Sequence, residues 1–149
     1  MPFAVDVQYI FRDGETPNRK KIYKWAKTTL SIFRDTAEVT IRVVDENEST
    51  DLNSRWRNIN SPTNVLSFAA GRTGIIETNM LGDIVICAPV VRREAEEQNK
   101  SYEAHWAHMV VHGLLHLLGF DHVDEQDTVK MESMEIRILD NLGYNNPYH

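Results

Sequence analysis

Residues 102–118, YEAHWAHMVVHGLLHLL, carry apolar side chains on almost every side of a helical projection, with four histidines set among them. A helix of that kind has no wide face to give to water, so it must run through the centre of a domain with other elements laid against it. Gly119 follows at once and supplies a natural stop, since glycine takes up the left-handed turn that ends a helix without a side-chain penalty. The rest of the chain has to cover this helix.

It has the elements to do so. Residues 4–11 alternate through Val5, Val7, Tyr9 and Phe11, the period-two pattern of a half-buried strand, ended by Asp13-Gly14. From Pro17 the spacing of Ile22, Trp25, Ala26, Thr29, Leu30 and Phe33 turns helical, with Thr16 or Asn18 placed to cap. Residues 38–44 alternate again through Val39, Ile41 and Val43, and the polar stretch 45–50 leads into a short helix through Leu52 and Trp56. Two short apolar runs, 65–69 and 82–87, predict further strands on either side of a loop over 71–80. Pro89 can open a helix carrying Val90, Val91 and Ala95, and Val129, Met131, Met134, Ile138, Leu139 and Leu142 predict a last one ending near Gly143 and Pro147. No repeat or linker interrupts the pattern. The expected fold is α+β: one domain over residues 1–149, a small mixed sheet packed against helices round the histidine-bearing one, with strand order left open.

Composition narrows the setting. With 149 residues, 42% of them hydrophobic, the chain can bury a sizeable core. No apolar run approaches the roughly 18 residues of a membrane span. Cys87 is the only cysteine, so no disulfide can form within the chain, and the first fifteen residues lack the pattern of a secretory signal. A reducing, cytoplasmic location is the expectation. A formal charge of −6 speaks against the broad electrostatic grip of a strongly basic nucleic-acid binder, while leaving room for a local basic patch.

Five of the six histidines fall between His105 and His122. On a helix His105, His108, His112 and His116 form one stripe, but His108 and His116 lie about 12 Å apart along the axis and cannot share an ion. Residues four apart sit about 6 Å apart on one face, close enough for two imidazoles to converge on a zinc at about 2.0–2.1 Å each. His112 and His116 are the best pair, because the turn at Gly119 can bring His122 back to the same ion. Three neutral imidazoles then leave the fourth tetrahedral position to water, the style of a catalytic rather than a structural zinc site. His105 and His108 are read as polar residues near the helix start, lining the cleft at most. The same H-x-x-x-H-x-x-G-x-x-H spacing occurs in metzincin proteases, where a glutamate general base follows the first histidine. Here that position is Gly113, which counts against ordinary proteolysis. Asp121 either orients an imidazole or is an exposed turn aspartate.

HGLLHLLGFDH resembles the H-G-x-x-H-L-x-G-[YF]-D-H signature of the YbeY endoribonucleases, or rRNA maturation factors, and RNINSPTNVLSF, LGDIVIC and LGYNNPY resemble further blocks of that family in the same order. The resemblance runs from about Leu52 onward; Ala69 and Ala70 follow Ser67-Phe68 where the family commonly has a proline. It implies a cytoplasmic, zinc-dependent endoribonuclease acting on single-stranded RNA. Its partners would be ribosomal RNA and the small ribosomal subunit, in rRNA maturation and ribosome quality control. The metal ligands would be His112, His116 and His122, holding one Zn2+ per chain, and the catalytic arginine would be Arg57. A planar guanidinium suits that role, since it can hold two phosphoryl oxygens at once. Arg55 and Arg72 are candidates for further phosphate contacts. The rival readings are a ribosome-associated assembly factor with mainly structural zinc, and a metal-dependent peptidase.

Overall fold

The computed structural model describes residues 2–70 and 79–148. In chain order they form β1 (Phe3–Tyr9), α1 (Arg19–Phe33), β2 (Ala37–Val44), α2 (Glu46–Arg57), β3 (Val65–Ala69), β4 (Met80–Cys87), α3 (Ala88–Glu97), α4 (Tyr102–Leu117) and α5 (Glu125–Asn141). Four helices start at a side chain that accepts a backbone N–H of the first turn: Asn18, Asp45, Ser101 and Asp124. Such caps satisfy donors that a helix start would otherwise leave unpaired. Asp45 therefore moves the start of α2 forward into the polar stretch that was expected only to lead up to it. α3 follows β4 directly, with Pro89 in its first turn, where a missing N–H costs nothing.

The sheet order is β1-β2-β4-β3. β1, β2 and β4 run parallel, and β3 closes one edge antiparallel to β4. This is the small mixed sheet of an α+β domain. β1 stops at Tyr9, two residues short of the expected Phe11, yet the N–H groups of Ile10 and Phe11 still donate to Val43 O at 2.9 and 3.1 Å. Residues 71–78, most of the expected loop with Arg72 in it, lie outside the described residues, and Met80 already belongs to β4.

Alternation along the strands divides the core. Phe3, Val7, Val39, Ile41, Val43, Ile84 and Ile86 face a main cluster with α1, α4 and α5, while Val44, Leu66, Val85 and Cys87 form a smaller one on the other side with Val90 and Leu52. α4 is covered as its composition demands: Trp106, Ala107, Val110, Val111, Leu114 and Leu115 are all at most 1% exposed. Among the described residues no helix is long and apolar enough to cross a membrane.

Candidate metal centre

Three imidazoles meet where α4 ends. His112 and His116 are one helical turn apart, with ring centroids separated by 4.7 Å. Beyond them the chain makes a Schellman turn: Phe120 N–H donates to Leu115 O at 2.9 Å and Gly119 N–H to His116 O at 3.1 Å, with Gly119 at φ +105°. The reversal returns His122 to 5.2 Å from the His112 ring and 5.3 Å from His116. The candidate ligand nitrogens all lie within 4.8 Å of one another. Burial holds the His116 imidazole below its ordinary pKa, and the neighbouring His112 and His122 add to that, which favours the neutral ring a metal needs. Nitrogen donors in this number and spacing fit a zinc-like ion, with room for a further ligand.

The apolar side of the same turn explains Gly113. A Cβ built there would stand 2.9 Å from Ile84 Cγ2 and 3.2 Å from Val65 Cγ2, so α4 presses directly on β4 and β3 at this residue. Ser67 Oγ adds a hydrogen bond to Gly113 O at 3.0 Å, tying the edge strand to the helix. A glutamate at this position would have to enter the sheet rather than the cavity, which is the physical reason the metzincin arrangement does not apply.

One residue that sequence reasoning missed is Glu135 on α5, which is fully buried. Its Oε2 lies 2.8 Å from His108 Nε2 and 3.0 Å from His112 Nδ1, and its Oε1 accepts from Tyr148 Oη at 2.6 Å. Burial alone would raise its pKa, but the hydrogen bonds from His108 and His112 prevail and bring it down to about 2. His108, expected only to line the cleft, is buried in this network, and burial lowers its own pKa. His105 is likewise buried and pairs with Glu94 at 2.9 Å. The signal for Glu135 was present: it sits four residues from both Met131 and Leu139, on the apolar stripe of its helix.

His112, His116 and His122 open into a cavity of about 540 Å³ whose far wall includes Arg57, Asn64 and Ser67. Arg57 is the last residue of α2, followed by Asn58 in the left-handed conformation, which turns the chain toward β3. Its guanidinium has no hydrogen-bond or ion-pair partner among the described residues. Arg55, two residues earlier and about 200° round the helix, does not line the cavity. Arg72 lies outside the described residues. Asp121 is in the wall, but its Oδ1 accepts the His122 backbone N–H at 2.7 Å, the local bond of a turn aspartate.

Two comparisons bear on this arrangement. A family model described as endoribonuclease YbeY matches residues 10–143. The solution structure of TM1509 from Thermotoga maritima superposes with a TM-score of 0.60 at 22% identity, covering 93% of this chain and 91% of the other, which shows a shared fold.

Proposed function

Because this chain belongs to the YbeY endoribonuclease family, we propose that its three-histidine cavity hydrolyses single-stranded RNA with one bound zinc ion. The observation that carries the reading is the meeting, in one cavity, of a three-imidazole cluster and an arginine that has no hydrogen-bond or ion-pair partner among the described residues. His112, His116 and His122 hold the ion, and Arg57 is the catalytic arginine. Zinc bound by three imidazoles supplies a water whose pKa falls from 15.7 to about 7, and so a nucleophile at neutral pH.

Phosphodiester hydrolysis gathers negative charge on the phosphoryl oxygens. A guanidinium across the cavity can take two of them in a fork-like grip, which positions the phosphate and stabilises the charge as it grows. The protein as a whole is acidic, so the strand is held by this confined contact rather than by a broad basic face. The proposed setting is cytoplasmic: maturation and quality control of small-subunit ribosomal RNA, with the small subunit as partner. A purely structural zinc is less well supported, because structural sites close all four positions with protein ligands whereas the cluster beside this cavity offers three among the described residues.

Elemental analysis of gently purified protein, paired with cleavage of a single-stranded RNA before and after chelation and zinc return, tests the proposal. The expected result is about one zinc per chain and RNA cleavage that is lost and restored with it. Metal-independent cleavage, or full zinc occupancy with no action on RNA, would overturn the reading.

A further inference from the structure

The three candidate ligands are not held alike. The side chains of His116 and His122 make no hydrogen bond to a carboxylate among the described residues, whereas His112 Nδ1 lies 3.0 Å from Glu135 Oε2. A carboxylate can only accept, so the proton of this bond belongs to His112 Nδ1, and the lone pair of the neutral ring is at Nε2. Two further donors complete the carboxylate. His108 Nε2, 2.8 Å away, gives its proton to the same oxygen, and Tyr148 Oη gives its own to the other at 2.6 Å.

This network is expensive to build unless it serves something. A buried carboxylate loses its hydration and has to be surrounded by donors. His108 serves that purpose, and its Nδ1 is buried with no hydrogen-bond partner among the described residues. The chain's last turn is committed too: Lys100 Nζ donates to Pro147 O at 2.6 Å, anchoring the residue before Tyr148. The Tyr148 ring also meets His108 edge-on at 5.5 Å between centroids. Three separate segments, α4, α5 and the tail after it, thus converge on one side chain whose remaining neighbour is a candidate metal ligand.

We propose that Glu135 is the positioning residue of the metal centre: it holds His112 in the Nδ1–H tautomer with Nε2 toward the ion, while His108 and Tyr148 hold Glu135. The inference rests on the metal-centre reading above and adds to it which ligand is preorganised and by what. Outer partners of this kind fix ring orientation and raise ligand basicity, and losing one typically weakens metal binding about 10- to 100-fold. The same three groups, His108, His112 and Glu135, also lie close enough to bind an ion directly. That alternative would place metal on His112 Nδ1 and is separated by the test.

Long-range proton–nitrogen NMR of the wild-type protein, first metal-free and then with one equivalent of zinc, reads the tautomer directly. The expected spectrum has His112 protonated at Nδ1 in both states, with zinc perturbing Nε2. Chelator competition on Glu135→Gln, with circular dichroism to confirm the fold, should show zinc bound about 10- to 100-fold more weakly, and Tyr148→Phe should show a smaller loss in the same direction. A metal-free His112 protonated at Nε2, zinc perturbing Nδ1, or wild-type affinity in folded Glu135→Gln would each overturn the proposal. The metal-free spectrum requires neither zinc binding nor RNA cleavage. It therefore decides the positioning role even if Glu135→Gln fails to fold, and it can fail or succeed independently of the endoribonuclease reading.

Discussion

Replacing Gly113 by alanine adds one methyl group at the place where α4 rests on the sheet. The new carbon would stand 2.9 Å from Ile84 Cγ2, 3.2 Å from Ile84 Cδ1 and 3.2 Å from Val65 Cγ2, and Ile84 is fully buried. The nearest atom is a branch close to the strand backbone, so a rotamer change does not remove the clash and the helix or strands must shift. Overpacking of this sort costs about 1–3 kcal/mol, while exchanging glycine for alanine inside a helix returns about 1 kcal/mol. The expected balance is a net loss of about 1 kcal/mol, or about 2–4 °C in Tm for a domain of this size. Because Gly113 lies between His112 and His116, the shift should also weaken zinc binding, whereas a purely global loss of stability would leave the affinity of the folded protein unchanged. Urea melts and chelator competition measure the two effects. A Gly113→Ala protein more stable than wild type would refute the argument, since only the helix-propensity gain would then remain and α4 could not be pressed against β3 and β4 as described. Gly113→Glu should be worse, and should create no peptidase, because its carboxylate would enter the sheet.

Arg57→Ala should keep its zinc and fold yet lose about 10²- to 10³-fold in single-turnover RNA cleavage, with Arg57→Lys recovering only part of it because an ammonium lacks the two-donor plane; near-wild-type cleavage would remove Arg57 from the chemistry. The same variant should flatten the log–log salt dependence of RNA binding by about 0.7, the value for one phosphate contact on a single strand. His116→Ala should bring zinc content in dialysed protein from about one per chain to near zero, and retention of tight binding would show that the ligand set is different. Stability of the metal-free protein should fall with acidity in two stages. Burial depresses His108 and His116 below the ordinary 6.5, so the unfolded chain takes up protons first and stability declines as pH drops below about 6.5. Glu135, lowered from 4.5 to about 2, adds stability that is present above 4.5 and disappears between those values. Denaturant melts from about pH 8 to about pH 3 should show both stages, with the lower one reduced in Glu135→Gln.

Much of this protein is legible one segment at a time. Period-two and period-3.6 patterns place the described strands and helices to within a few residues, except the start of α2, which the Asp45 cap sets inside the expected polar lead-in. They do so because alternation and helical spacing record which face of a segment is buried. The metal cluster is equally local. His112 and His116 share a face by helix geometry alone, and a glycine three residues on suffices to bring His122 back, so no long-range information is needed. The placing of β3 is different. Nothing in Val65–Ala69 says that it pairs with β4 rather than β2, or that it runs antiparallel, because a strand's pattern shows its faces and not the neighbour at its edge.

That placement decides the rest of the site. The pairing of β3 with β4 sets Asn64 and Ser67 beside α4 and carries the end of α2, with Arg57, to the rim of the cavity. It also requires the missing side chain at Gly113. Glu135 depends on the packing of α5 against α4 across 23 residues of sequence from His112. By itself its position on an apolar stripe indicates burial but not a partner. The sequence alone picked out His112, His116 and His122 as one candidate ligand set, because a set within one turn and one reversal is a property of the local backbone. Only the tertiary structure decided which charges face it, which imidazole is held and by whom, because those contacts join segments that the chain brings together only on folding.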